Sequence, residues 1–274
     1  MVKQFRFRWF RRLAFAGALF GAGAAHGASP FASDAANSEF SSARLIAGEP
    51  AKDGTYLVAL EIDLKPKALT YWRQPGEAGV PPRFDFKRSQ NVDSVEPLYP
   101  APKRIEEAGS IVAGYDSKVV FPLRVKPRNP EAPVVLELSL DYAACDRICL
   151  PTKARLALAL PQSGASPFLA DIAAALAKVP RKLTAGEAKA LLGLSRRPGE
   201  SLSWRLEYLG KDSAREIFAE APEPLYLEAA PSTDGKAFEL TLSTNGTVAA
   251  PKAVAATLTV VTDKGAFEAP LELK

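Results

Sequence analysis

Residues 55–64 read Thr55-Tyr56-Leu57-Val58-Ala59-Leu60-Glu61-Ile62-Asp63-Leu64. Tyr56, Val58, Leu60, Ile62 and Leu64 fall on alternate positions, which puts them on one face of a strand because successive side chains point to opposite sides. The pattern repeats further along the chain. Val119, Phe121, Leu123 and Val125 alternate with Lys118, Arg124 and Lys126. Val134, Leu136, Leu138, Leu140 and Tyr142 form a third face, and Leu156, Leu158 and Leu160 a fourth. Shorter strands are expected near Arg44–Ala47, Leu69–Trp72 and Val92–Pro97, with proline and glycine breaking the chain between them, as in PGEAGVPP at 75–82. Many short strands separated by turn signals predict an antiparallel β-sandwich over residues 42–162.

Beyond it the period changes. Phe168, Ile172, Leu176 and Val179 recur at helical spacing, with Ser166 or Pro167 as the start and Pro180 as the stop. Thr184 with Glu187 three residues on reads as a capping box for a second short helix ending at Leu192. Residues 163–194 are thus expected to be a helical connector. Alternation returns in Leu202, Trp204, Leu206 and Tyr208; in Phe238, Leu240 and Leu242; in Ala256, Leu258 and Val260; and in Phe267, Leu271 and Leu273. Asn245-Gly246 is a hairpin-turn signal, and with Thr247 it also forms a glycosylation sequon. A second, smaller β domain is expected over 195–274.

The amino terminus carries a different message. Lys3, Arg6, Arg8, Arg11 and Arg12 precede the short apolar run Leu13–Ala25, and small residues follow. This is the pattern of a secretory signal peptide over 1–28, with an uncleaved anchor as the alternative. Residues 29–41 are expected to be a disordered lead-in. With the signal's five basic residues removed from 35, 30 basic side chains face 31 acidic ones, so no basic stripe for nucleic acid is indicated. No run of 18 apolar residues exists to span a membrane in the mature chain. The only histidine, His26, and the only methionine, Met1, lie in the signal. The mature chain therefore lacks the imidazole for a Ser-His-Asp or Cys-His site or for a histidine-ligated zinc. No cofactor is called for.

The chemistry left is one cysteine pair, in Asp141-Tyr142-Ala143-Ala144-Cys145-Asp146-Arg147-Ile148-Cys149-Leu150-Pro151. Four positions along a straight strand span ~13 Å at ~3.3 Å per residue, whereas bonded cysteines need Cα atoms within ~7 Å. If the two bond, the chain must turn at Asp146–Ile148. A ring of about five residues stabilises the fold by only ~2 kcal/mol, against ~4.7 for a loop of 100. Three readings stand: a redox-active pair, a structural disulfide in an exported protein, and a thiolate pair for a soft ion such as Cu(I). Arg147 would favour a neighbouring thiolate, while Asp146 and burial would oppose it.

Two segments resemble a known family. Thr70-Tyr71-Trp72-Arg73-Gln74-Pro75-Gly76-Glu77-Ala78-Gly79-Val80-Pro81-Pro82 is similar to its TYW-x-x-PG-x-x-G-x-P stretch, and Tyr142 to Pro151 to its Tyr-x-x-Cys…Cys-x-Pro element. The family is the amino-terminal periplasmic domain of the thiol:disulfide interchange protein DsbD and its suppressor-of-copper-sensitivity relatives. The resemblance covers residues 42–162. It implies an immunoglobulin-like sandwich in the periplasm, with Cys145 and Cys149 as the pair that carries electrons. It further implies a membrane-embedded thiol reductase as donor and thioredoxin-like proteins as acceptors. Tyr71 and Trp72 are candidates for aromatic shielding of the pair, with Tyr142 and Arg147 as further candidates for shielding or partner contact. The Cys-x3-Cys spacing is shorter than in the best-known members, and the chain lacks their membrane and thioredoxin domains.

Overall fold

The computed structural model describes Met1 and residues 29–76, 78–197, 202–244 and 252–274. The expected signal segment, Met1 apart, and the Asn245-Gly246 turn lie outside these described residues. The fold is mainly β, with 55% strand, 6% helix and several antiparallel sheets, as the alternation predicts.

The first β unit contains β1 (Ala36–Asn37), β2 (Ser41–Pro50), β3 (Tyr56–Leu64), β4 (Thr70–Tyr71), β5 (Arg83–Asp85), β6 (Val92–Pro97), β7 (Lys103–Glu107), β8 (Ser110–Tyr115), β9 (Val119–Pro127), β10 (Val134–Cys145) and β11 (Cys149–Leu160). Next come α1 (Leu169–Leu176), β12 (Arg181–Lys182) and α2 (Ala185–Leu191). The second unit adds β13 (Leu192–Arg196), β14 (Ser203–Tyr208), β15 (Ala214–Glu220), β16 (Tyr226–Pro231), β17 (Phe238–Ser243), β18 (Val254–Thr262) and β19 (Gly265–Leu273).

In the first unit a sheet ordered β1-β2-β3-β9-β6 faces one ordered β11-β10-β5, and a small sheet β4-β8-β7 sits beside them. The predicted faces meet between the sheets: Val58, Leu60, Ile62, Phe121, Leu123, Leu136, Leu138 and Leu140 belong to one core and are almost wholly buried. Burying each such side chain contributes roughly 1.5–3 kcal/mol. Strand β3 departs from the one-faced expectation because its outer face is covered too. Ala59 packs with Ile46 and with Ile172 of α1. Glu61, on that outer face, is buried but flanked by Arg44 at 2.9 Å and by Lys118, so its charge is matched.

The stretch 29–41 packs on the sandwich rather than hanging free. Phe31 is buried in the first core, Ala32 bridges to Ile46, and β1 pairs with β2. Two phenylalanines among small polar residues anchor it, Phe31 buried and Phe40 packed against the same core. Helix α1 starts at Leu169, later than predicted, because Ser166 is engaged elsewhere. Its Oγ donates to the Ala47 carbonyl at 2.6 Å and accepts from the Phe168 N–H. The capping box at α2 is present: the Glu187 N–H donates to Thr184 Oγ1, and the Thr184 N–H to Glu187 Oε2. Leu192 turns extended and enters β13, so the helix ends at Leu191 and the expected 194/195 boundary falls inside a strand.

The second unit stacks a sheet ordered β12-β19-β18-β15 on one ordered β13-β14-β17-β16. A separate core fills it, with Leu206, Ile217, Leu240, Leu258, Val260 and Ala269 buried.

Candidate functional site

Strands β10 and β11 form a long hairpin in continuous register from Val134↔Leu160 to Cys145↔Cys149. Hydrophobic alternation fixes that register, since a slip of one residue would turn every leucine outward. The register makes the two cysteines direct cross-strand partners, closed by the three-residue loop Asp146-Arg147-Ile148. Their Cα atoms are 4.0 Å apart and their sulfurs are joined in a disulfide. The chain turns where the spacing argument required.

The two cysteines are not equivalent. Cys145 exchanges backbone hydrogen bonds with Leu69 on its other side, at 2.8 and 3.0 Å, and is fully buried. Cys149 begins the edge strand of its sheet and is exposed. Around Cys145 lies a small apolar cluster of Leu69, Tyr71, Val112 and Ala143, with Ile105 and Ala78 at its margin.

Tyr71 sits two residues beyond Leu69, on the same face of its strand. Its hydroxyl oxygen lies 3.1 Å from Cys145 Sγ and 3.3 Å from Cys149 Sγ. Bonded sulfurs carry no proton, so the hydroxyl donates to Glu107, whose two carboxylate oxygens are each 2.8 Å away. Burial pushes the Tyr71 phenol well above its ordinary range, and the hydrogen bond and charge of Glu107 push the same way. It therefore stays a donor. The ring is pressed close by Gly79, which has φ +103°; a Cβ there would come within 2.7 Å of the Tyr71 ring.

Glu107 ends β7 at a two-residue turn whose Ala108 and Gly109 both have positive φ. The turn brings Glu107 Oε1 to 2.9 Å from Cys149 Sγ. Sequence reasoning missed this residue. It lies 38 positions before Cys145, in a hairpin that no alternation announces, since only Ile105 and Val112 of its side chains face the sulfur cluster. Glu107, Cys145 and Cys149 also offer donor atoms within 4.8 Å of one another; of these the two sulfurs, once reduced, suit a soft ion and the carboxylate does not.

Of the other candidates, two face elsewhere, and strand parity explains both. Tyr142 is an odd number of positions from Cys145, so it points into the main core, where its hydroxyl meets Ser41 Oγ at 2.7 Å. Trp72, adjacent to Tyr71, points the opposite way and packs on Phe218 of the second unit, with ring centroids 5.7 Å apart. Neither shields the sulfurs. Arg147 is exposed in the hairpin loop and forms no ion pair among the described residues.

A β-sandwich in which one long hairpin ends in a half-exposed disulfide, backed by a buried tyrosine and a carboxylate, defines a thiol-bearing immunoglobulin-like domain. Residues 42–161 match the family model described as Thiol:disulfide interchange protein DsbD, N-terminal. Among solved structures, the N-terminal periplasmic domain of ScsB from Proteus mirabilis aligns over 89% of this chain and 98% of its own, at 23% identity and a TM-score of 0.67. The likeness in fold thus runs through both β units. Two others, BspA_C_WT and the C-terminal domain of the Streptococcus pyogenes antigen I/II-family protein AspA, cover 82% of this chain and 93% and 92% of their own. Their identities are 9% and 8% and their TM-scores 0.14 and 0.13, too low to carry an argument. No curated protein sequence matches the chain. Among the described residues, no helix is long and apolar enough to cross a membrane.

Proposed function

We propose that the chain is a periplasmic thiol–disulfide exchange protein in which Cys145 and Cys149 pass electron pairs between a membrane-embedded thiol reductase and thioredoxin-like proteins. The observation that carries this reading is the asymmetry of the pair: an exposed sulfur bonded to a buried one, with Tyr71 against both. A disulfide in an exported chain suits an oxidising compartment.

The chemistry follows from the geometry. A partner thiolate attacks Cys149 Sγ, forming a mixed disulfide, while the Cys145–Cys149 bond breaks and its electron pair goes to Cys145 Sγ. The Tyr71 hydroxyl, already 3.1 Å from that sulfur, donates a hydrogen bond to the departing thiolate, which then takes up a proton. The partner's second thiolate attacks the partner's own first sulfur and releases Cys149. Two electrons and two protons have then moved to this chain, and the partner is left oxidised. Glu107, 2.9 Å from Cys149 Sγ, is placed to exchange a proton with that thiol. Run backwards, Cys149 attacks an oxidised acceptor and Cys145 resolves the mixed disulfide.

Serine variants test this. Cys145→Ser leaves the exposed thiol without its resolving partner and is expected to trap a mixed disulfide with a thioredoxin-like protein. Cys149→Ser is expected to trap far less. If neither variant traps anything, and the pair's potential lies well below about −300 mV, the bond is a structural one and the exchange reading is wrong. The closeness of two sulfurs that become thiols on reduction favours a second reading, retention of Cu(I) by the reduced pair. Titration of the reduced chain with Cu(I), showing no stoichiometric binding, would dispose of it.

A further inference from the structure

The parity that separates Tyr71 from Trp72 applies equally to the hairpin β7–β8. Ile105 and Val112 face the sulfurs, and Glu107 reaches them from the turn. Arg104, one position before Ile105, faces the second β unit. Its guanidinium donates to the carbonyls of Ile217 (2.8 Å) and Ala229, which belong to β15 and β16 in different sheets of that unit. Its charge also lies 5.4 Å from the centre of the Phe218 ring. The strand carrying Tyr71 is tied in the same way. Arg73 donates to Glu220 at 2.6 and 2.7 Å and to Glu268 at 2.6 Å, both in the second unit. Trp72 packs on Phe218 between these two anchors.

Among the described residues, the two polar side chains that reach the sulfurs, Tyr71 and Glu107, are therefore mounted on elements tied to the second unit. Charge-assisted bonds of this kind are stronger than neutral ones, and two of them here are partly shielded from water. An arrangement meant only to join two sandwiches has no need to grip the strand and the hairpin that flank the sulfurs. We infer that the second β unit is a working part of the thiol site, with Arg104 and Arg73 as positioning residues that hold Glu107 and Tyr71 against Cys145–Cys149 and so set how readily an attacking thiol reaches Cys149.

The inference rests on the exchange reading above. The Glu107 carboxylate, 2.9 Å from the exposed Cys149 Sγ, repels an incoming thiolate, so the reduction rate rises with the population in which its hairpin swings away. Arg104→Ala, in the otherwise intact chain, is expected to be reduced by dithiothreitol roughly tenfold faster than the parent, the factor that 1.4 kcal/mol represents. Arg104→Lys keeps the charge and one donor group and is expected to stay within about threefold of the parent. Hydrogen exchange is expected to quicken at 103–115 while β2, β3 and β9 keep their protection. Glu220→Gln with Glu268→Gln loosens the other anchor and carries the test if Arg104→Ala does not fold. A parent-like rate in both variants overturns the inference. So does acceleration that spreads evenly over all sheets, which marks general destabilisation. If the native parent itself resists dithiothreitol altogether, the exchange reading fails, and the two failures are thus told apart.

Discussion

The two sulfurs differ most in what an attacking molecule must move to reach them, and that difference can be measured on single-thiol variants. In Cys149→Ser the remaining thiol, Cys145, is fully buried. Exposing it means withdrawing Tyr71, which breaks a hydrogen bond to a carboxylate worth ~1.5–3 kcal/mol. Parting Leu69 from Cys145 would break two backbone hydrogen bonds more, at about 1 kcal/mol each. Together an opening cost of roughly 3.5–5 kcal/mol slows modification about 300- to 4,000-fold. In Cys145→Ser the remaining thiol, Cys149, needs no such opening. One effect works against the ratio: the Glu107 carboxylate disfavours a thiolate beside it. Glu107→Gln removes that opposition and is expected to speed alkylation of Cys149 in the Cys145→Ser background. The assay is the rate of iodoacetamide alkylation followed by mass, in native buffer and in concentrated urea, where the two thiols should become equal. Equal rates in the native state, or a faster Cys145, would refute the assignment of Cys149 as the attacked sulfur.

Other expectations are simpler. Gly79→Ala places a side chain at φ +103° against the Tyr71 ring, so a loss of about 1–3 kcal/mol is expected in urea unfolding. Tyr142→Phe removes the buried bond to Ser41 and should cost about 1 kcal/mol while leaving the dithiothreitol rate unchanged; a changed rate would place Tyr142 at the site after all. Glu187 has its carboxyl lowered from 4.5 to about 2, chiefly by the Thr184 backbone N–H and then by Arg181. Its support of α2 is complete above pH ~4.5 and lost as pH falls towards 2. Amide exchange at Ala185–Leu191 should quicken over that window, and Glu187→Gln should abolish the pH step.

Much of this architecture was legible because it follows from parity. The alternation at 56–64, 119–125 and 134–142 located the core of the first unit, and the distance argument located the turn between the cysteines. Parity would also have assigned Tyr142 and Trp72 correctly. Each stands at an odd offset from a residue that faces the sulfurs, yet both were candidates for the site because an aromatic beside a motif draws notice whatever its face. What parity could not supply is the content of the other side. The covering of Ala59 and Glu61 by α1, Lys118 and Arg44 depends on elements 15 to more than 100 residues away. Glu107 is beyond local reading for the same reason: a glutamate before Ala-Gly looks like any solvated turn until the fold sets it against a sulfur.

The position of the disulfide within its hairpin bears on whether it can be opened and closed in service. Twelve residue pairs hold β10 to β11, and all their leucines except Leu150 are anchored in the core. Cys145 is held separately by Leu69. The bond adds a ring of about five residues to an edge already fixed from both sides, a gain limited to ~2 kcal/mol. Breaking it therefore frees one exposed side chain and a three-residue loop, while the register, Tyr71 and the buried sulfur keep their supports. A bond that closed a long loop between distant strands would be worth more to stability and would be harder to reform in place. Its site at the hairpin's end lets the chain change redox state without giving up its fold, which a carrier requires and a purely structural staple does not.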